Sequence, residues 1–140
     1  TVKFGPKVVA SFANAHLAHA AKIVGVSNDQ ARVAACEKAV QGLLGERASV
    51  ARSQPYYLDI THPQANKGAV VTSLSRLLNI PSAEMAAIGD MPNDILMFAQ
   101  CGVSIAMGKA SDEVKARASV VTDSNENDGF AKAVRRFVVA

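Results

Sequence analysis

Apolar and polar residues follow two rhythms along the chain, and the change between them falls near Thr61. In the first part, short apolar runs predict strands, and apolar residues at helical spacing predict one helix. That helix is expected to begin after Ser27-Asn28-Asp29 and to end at Gly45. The predicted strands are residues 7–12, 22–26, 48–52 and 56–60. This order is typical of a small α+β unit with antiparallel pairing.

From Thr61 onward, predicted helices and strands alternate regularly. The helices are expected at residues 66–78, 92–99, 111–118 and 130–138, and the strands at 85–89, 103–107 and 119–122. Pro92 suits the first position of a helix, where its missing N–H group has no partner to lose. The polar segment 123–129 predicts a turn. Such alternation indicates a parallel sheet with helices on both faces, and therefore an α/β fold.

Composition narrows the function classes. The chain has 140 residues, 49% of them hydrophobic and 19% charged, which fits one folded domain. Its net charge of +3 is spread along the sequence, so we expect no nucleic-acid partner and no membrane surface. Cys36 and Cys101 stand far apart, which argues against a disulfide framework or a zinc site and favours two buried, reduced thiols. His16 and His19 have no acid or cysteine nearby, and we interpret them as surface residues.

The segment Gly89-Asp90-Met91-Pro92-Asn93-Asp94 carries the clearest candidate chemistry. Asp90 follows a buried strand, where ligands bind in open α/β sheets, and Asp94 lies one helical turn further on. Two neighbouring carboxylates repel each other unless a cation such as Mg²⁺ lies between them. Acids at a strand end and in a first helical turn also occur without a metal, because the helix dipole favours them. The local pattern leaves both interpretations open.

Lys67, in Asn66-Lys67-Gly68, is the second candidate. A cation at the start of a helix meets the positive end of the helix dipole, which is unfavourable unless an anion is bound there. A phosphate would be held by both the dipole and the ammonium group, whereas a solvated lysine needs no ligand at all. The sequence contains no P-loop, no dinucleotide fingerprint and no G-x-S-x-G elbow.

In order and spacing, these segments resemble the C-terminal half of the Cof-type (subfamily IIB) phosphatases of the haloacid dehalogenase (HAD) superfamily. The resemblance begins near Tyr57 and continues to the end of the chain. It is carried by Tyr57-Leu58-Asp59-Ile60, Asn66-Lys67-Gly68, Ile88-Gly89-Asp90-Met91-Pro92-Asn93-Asp94, Ala99-Gln100-Cys101-Gly102, Ala106-Met107-Gly108 and Asp128-Gly129. It implies part of a HAD-like, Rossmann-like core in residues 61–140. Residues 1–60 would be a partial α+β cap domain.

The resemblance also implies a role for each matching residue. Lys67 would be a catalytic residue that pairs with the substrate phosphate and the nucleophile, and Asn93 would lie beside that phosphate. Asp90 would bind Mg²⁺, and Asp94 would help to hold the metal and its waters, as both a metal-site and a catalytic residue. The implied activity is the Mg²⁺-dependent hydrolysis of a small phosphorylated metabolite, usually a sugar phosphate, by a cytoplasmic enzyme.

The chain departs from the family pattern in one central respect. The family's nucleophile lies in a D-x-D motif, and this sequence contains none. We therefore expect a fragment that is inactive alone and belongs to a longer phosphatase. Two alternatives stay open: a non-catalytic half-protein that binds phosphorylated ligands or a partner, and a split protein whose N-terminal half is a separate chain. An incomplete parallel sheet would also favour a homo-oligomer.

Overall fold

The computed structural model describes residues 7–12 and 20–139, which contain two three-stranded sheets that follow one another along the chain. Residues 7–12 have no regular secondary structure, so the strand predicted there is wrong. Val8 and Phe12 are 92% and 71% exposed, so no described part of the chain packs on this short apolar run and holds it as a strand. His16 and His19 lie outside the described residues.

The first sheet is antiparallel, as the sequence predicts. Its elements are β1 (Lys22–Val26), helix α1 (Gln30–Leu44), β2 (Ser49–Gln54) and β3 (Tyr57–Thr61), and the strand order is β1-β3-β2. Helix α1 begins where predicted, because the side chain of Asp29 accepts a hydrogen bond from the backbone N–H of Arg32 at 2.9 Å. It ends at Gly45, whose φ of +52° is a conformation that glycine adopts without strain.

The two faces of this sheet differ in chemistry. Val50 and Leu58 pack against Val33 of α1 and form a small buried core. Successive side chains of a strand point to opposite faces. The next residue in each strand, Ala51 after Val50 and Asp59 after Leu58, therefore points away from α1. The face opposite the helix looks toward the second sheet, because Ser49, Ala51, Asp59 and Thr61 line a cavity together with Asn66 and Lys67.

The second sheet is parallel, and helices alternate with its strands, which confirms the predicted α/β class. Its elements are α2 (Lys67–Leu78), β4 (Ala86–Gly89), α3 (Ile95–Phe98), β5 (Val103–Ala106), α4 (Asp112–Lys115), β6 (Val120–Val121) and α5 (Gly129–Phe137). The strand order is β4-β5-β6. Ile105 and Ala106 of the central strand and Val114 of α4 have no exposed surface, so the core lies around β5.

Helices α3 and α4 are shorter than the sequence predicts. Residues 92–94 form a turn of 3₁₀-helix before α3. After α4, the backbone N–H groups of Arg117 and Ala118 donate to Val114 and Lys115, three residues back. Such bonds tighten the last turn of a helix and end its α-helical geometry. Residues 124–129 form the predicted turn, with a 3₁₀ segment at Asn125–Asn127. Within the described ranges, no helix has the length and hydropathy needed to cross a membrane.

Candidate active site

The candidate residues of the second sheet meet at the carboxyl end of β4. Asp90 follows β4 directly, and the turn Pro92–Asp94 leads from it into α3. The first residue of α2, Lys67, reaches this turn from the side. Two segments that are separate in sequence, the start of α2 and the loop of residues 90–94, thus bring Lys67, Asp90, Asn93 and Asp94 to one edge of the parallel sheet.

Asp94 is buried, with 3% of its surface exposed, and its carboxylate has several donors. Oδ2 accepts hydrogen bonds from the backbone N–H groups of Asp90 and Met91, both at 2.9 Å. Oδ1 accepts a hydrogen bond from the Lys67 ammonium group. A buried carboxylate needs such partners because desolvation strongly disfavours an unpaired charge. Asp94 therefore fixes the shape of the loop and also joins it to Lys67.

Gly89 makes this packing sterically feasible. A Cβ atom placed on Gly89 would lie 2.5 Å from Cγ and from Oδ2 of Asp94, well inside van der Waals contact. The backbone at the end of β4 can pack against the Asp94 carboxylate only because residue 89 has no side chain. The glycine before Asp90 is therefore part of the site's construction.

Lys67 is positioned by the start of α2. The side chain of Asn66 caps this helix by accepting a hydrogen bond from the backbone N–H of Ala69 at 2.9 Å. The ammonium group of Lys67 bridges to Asp94, yet its side chain is 48% exposed. A cation that is half exposed beside a helix N-terminus is available to an anionic ligand.

Asp90 lies in a different environment from Asp94. It is exposed, and its carboxylate has no hydrogen bond or ion pair with any described residue, although its backbone N–H is bonded to Asp94. In this loop, the carboxylate of Asp94 is therefore hydrogen-bonded on both oxygens, whereas the carboxylate of Asp90 has no partner among the described residues. Across residues 7–12 and 20–139, no three His, Cys, Asp or Glu side chains converge closely enough to hold a metal ion.

A cavity of about 110 Å³ lies between this loop and the face of the antiparallel sheet opposite α1. Lys67 and Asn93 line one side of it, and Asp59 lines the other. The sequence predicted no role for Asp59, although it lies in one of the segments that carry the family resemblance. The available signal was its place in β3, a polar residue between buried Leu58 and half-buried Ile60.

A second cavity, of about 240 Å³, lies on the other side of the loop beside Asp90 and is also lined by Arg52 and Lys109. Both cations already have partners, because Lys109 pairs with Glu126 and Arg52 binds Glu37 at 2.7 Å. Burial acts to lower the pKa of Arg52, but the hydrogen bond and charge of Glu37, with a smaller part from Glu113, outweigh it and raise the pKa. This cavity therefore has less free positive charge than its residues suggest.

Comparison with known proteins places this arrangement in a family. The family model for haloacid dehalogenase-like hydrolases matches residues 2–134, so the chain belongs to that family. Its resemblance to the Cof-type members is confirmed by relatives and solved structures alike. The 5-amino-6-(5-phospho-D-ribitylamino)uracil phosphatase YcsE of Bacillus subtilis is 36% identical over 90 residues, which is 64% of this chain and 36% of that protein.

Solved structures show the same likeness. A haloacid dehalogenase-like hydrolase from B. subtilis superposes with a TM-score of 0.75 at 30% identity, over 84% of this chain and 40% of that one. The HAD subclass IIB sugar phosphatase BT4131 superposes with a TM-score of 0.66 at 31% identity, over 74% of this chain and 40% of that one. The chain spans about a third of the length of the curated relatives that it matches.

Proposed function

We propose that this chain supplies the lysine and the metal-binding acids of a Mg²⁺-dependent phosphomonoester hydrolase that acts on a small phosphorylated metabolite. The observation that supports this most directly is the difference in environment between the two aspartates that follow β4. Asp94 is buried and paired with Lys67, whereas the carboxylate of Asp90 is exposed and free. Because one related structure is a sugar phosphatase, sugar phosphates are the first substrate class to test.

Lys67 and Asn93 are the residues that we assign to the phosphate. The ammonium group of Lys67 is half exposed at the first turn of α2, a helix of 12 residues. Its charge and the helix N-terminus both favour an anion at this place. Asp94 holds the lysine in position, so phosphate binding and the shape of the loop depend on the same ion pair.

The residues of this loop fit a magnesium ion. Mg²⁺ prefers oxygen ligands and commonly takes only one or two protein carboxylates, with water and phosphate oxygens as the others. Asp90 would hold the ion directly through its free carboxylate, and Asp94 would orient the loop and waters around it. When bound, the ion would neutralise charge on the phosphate oxygens. Two acids suffice for this role, so the lack of a third acid among the described residues is compatible with it.

None of the residues assigned above is the nucleophile that attacks the phosphorus atom. Phosphoryl transfer depends on positioning and charge neutralisation around a nucleophile, and the family's D-x-D motif is absent from these 140 residues. We propose that the nucleophile comes from outside this chain and that the chain alone does not turn over.

The experiment is phosphate release by the protein as its source produces it, with Mg²⁺ and with EDTA. We expect Mg²⁺-dependent hydrolysis, and a loss of at least about 100-fold in Asp90→Asn. Asp112→Asn, at an exposed acid of α4, serves as the control and should retain activity. Full activity in EDTA or in Asp90→Asn would contradict the proposal. Phosphate binding without any hydrolysis would favour the non-catalytic alternative.

A second arm tests the 140-residue chain by itself. We expect no hydrolysis from it with or without Mg²⁺. Hydrolysis that disappears in the Asp90→Ala variant of the same chain would show that its own residues suffice, and would contradict the assignment of the nucleophile to another segment.

A further inference from the structure

The antiparallel region (residues 20–61) and the parallel region (residues 67–139) share no apolar core. Each has a buried apolar cluster of its own, and no residue belongs to both clusters. Where the two regions meet, cavities of about 110 and 240 Å³ lie on either side of the loop that follows β4. Close packing fixes the geometry inside each region, but no shared apolar cluster fixes the orientation of one region relative to the other.

One side-chain contact crosses between the two regions. Nη2 of Arg52, in β2, donates a hydrogen bond to Oε2 of Glu113, in α4, at 3.1 Å. Among the described residues, no other hydrogen bond or ion pair joins residues 20–61 to residues 67–139. The orientation of the antiparallel region over the loop therefore depends on this ion pair more than on any other polar contact.

Both partners of this ion pair are held in place by their own region. The side chain of Arg52 is only 16% exposed, and its backbone N–H and its Nε donate to Glu37 at 2.9 and 2.7 Å. Glu113 lies in the first turn of α4, which Ser111 caps, and its neighbour Val114 has no exposed surface. The side chain of Glu113 itself is 60% exposed. The contact therefore joins two fixed supports, yet water and salt can reach it.

The ion pair also lies beside the exposed acid of the candidate site. Arg52 and Ser111, which is two residues before Glu113, line the 240 Å³ cavity together with Asp90 and Pro92. A movement of the antiparallel region at this contact would therefore change the width of the opening that leads to Asp90.

We propose that Glu113 is a positioning residue, which holds Arg52 and with it the antiparallel region in the arrangement that closes over the site. The effect on activity rests on the proposed function, whereas the contact itself does not. Because an exposed ion pair is weak, the free protein exchanges between molecules in which the pair is formed and molecules in which it is broken. Only the first kind binds substrate at full strength, so the apparent dissociation constant rises as their fraction falls.

Glu113→Ala tests this role against Asp112→Ala, which removes the same charge from the same turn of α4 but breaks no ion pair with a described residue. The measurement is phosphate release by the protein as its source produces it. We expect Glu113→Ala to raise KM about two- to fivefold and to leave kcat within about twofold, because bound substrate restores the closed arrangement. Asp112→Ala should change neither constant. An unchanged KM in folded Glu113→Ala, or a fall in kcat alone, would overturn the proposal.

Salt gives a second readout, because it weakens the attraction between exposed charges. Raising NaCl from about 0.05 to about 0.5 M should increase KM more in Asp112→Ala, which keeps the ion pair, than in Glu113→Ala. The ratio of the two KM values should therefore fall toward one. A ratio that does not change with salt would contradict a positioning role that depends on charge.

A distance measurement separates this inference from the proposed function. Spin labels at Cys36 of α1 and at Ser73→Cys of α2, both exposed positions, report the separation of the two regions by pulsed EPR without substrate. Cys101→Ala keeps the label off the third cysteine. We expect a broader distribution of distances in Glu113→Ala than in Asp112→Ala. If the source protein hydrolyses no phosphomonoester, the proposed function fails and this comparison still applies. Equal distributions would overturn the positioning role even in an active enzyme.

Discussion

Each of the two regions of the molecule buries one carboxylate against a cation, and the two pairs are built alike. In the antiparallel region, Glu37 accepts hydrogen bonds from the backbone N–H of Arg52 at 2.9 Å and from its guanidinium group at 2.7 Å. In the parallel region, Asp94 accepts from two backbone N–H groups and from the ammonium group of Lys67. In both regions, the acid ties together segments that are distant in sequence.

The two pairs differ in the exposure of their cations. The side chain of Arg52 is 16% exposed and has a second partner in Glu113, at 3.1 Å, so its charge is used within the protein. The side chain of Lys67 is 48% exposed and borders a cavity, and Asp94 is its one ion-pair partner among the described residues. The comparison teaches that the accessibility of the cation, rather than the burial of the acid, separates a structural ion pair from a candidate ligand site.

The largest effect is expected from Lys67→Met, which tests whether the charge of Lys67 serves a ligand rather than the fold. It removes the half-exposed charge that we assign to the phosphate, and we expect phosphate release by the source protein to fall by about 10²–10³-fold. Lys132→Met is a matched control, because Lys132 also pairs with an aspartate but both side chains are more than half exposed. That variant should keep its activity. If Lys67→Met stays within about tenfold of wild type, Lys67 is as structural as Arg52.

Arg52→Met tests the other half of the comparison through stability. The substitution leaves Glu37 buried without its cation, and breaking such a pair should lower the free energy of unfolding by about 3 kcal/mol. Glu113→Gln removes only the exposed partner, whose side chain is 60% accessible, and should cost less than about 1 kcal/mol. Urea unfolding of both variants measures the difference. Equal losses would show that the exposed acid matters as much as the buried one.

Two glycines, one in each region, differ in how closely the surrounding atoms approach the backbone. Gly89→Ala would place a Cβ atom 2.5 Å from the Asp94 carboxylate, which cannot move without losing its donors, so we expect a loss of about 1–3 kcal/mol. Gly25→Ala, in β1, would place its Cβ atom 3.6 Å from Cβ of Leu58, an ordinary contact. That change should be neutral or stabilising by up to about 1 kcal/mol. Thermal unfolding compares them, and similar losses at both positions would contradict the crowding at Gly89.

Much of this fold could be predicted from the sequence, because local signals agree with the tertiary structure. The cap at Asp29, the glycine at residue 45 and the alternation of helices and strands after Thr61 gave the right elements in the right order. The exception is the segment 7–12, where apolar residues alone suggested a strand. A strand also requires a neighbouring strand and a face to cover, and a local pattern contains neither.

The site could be predicted only in part. Lys67, Asp90, Asn93 and Asp94 could be named because they carry motifs, and the structure brings all four to one edge of the sheet, while the roles given to them stay predictions. The unequal states of the two acids could not be predicted, since they depend on which carboxylate the turn after β4 folds inward. The proximity of Asp59 to Asn93 across the cavity could not be predicted either, because it depends on how the two sheets face each other.

The smallest predicted effect compares a thiol from each region. Cys36 of α1 is exposed, so the buried thiol that the sequence predicted there is wrong, whereas Cys101 is partly buried and packs against the core of the parallel region. Burial raises the pKa of Cys101, and less of its reactive thiolate is therefore present at pH 8. We expect iodoacetamide to modify Cys101 several-fold more slowly than Cys36, as measured by mass spectrometry, with Cys36→Ser to isolate the slower site.

The same shift has a consequence for stability. Because the pKa of Cys101 is higher in the folded protein than in the unfolded chain, the unfolded chain loses its proton first as the pH rises. The contribution of Cys101 is complete below the thiol's ordinary pKa and declines as the pH rises toward its folded value. Cys101→Ala should make the free energy of unfolding less dependent on pH in this alkaline window than it is in the wild type, as measured by urea unfolding at several pH values. A pH dependence in Cys101→Ala that equals the wild type's would contradict the raised pKa, and equal alkylation rates at the two thiols would mean that the parallel region protects its cysteine no better than the surface of α1.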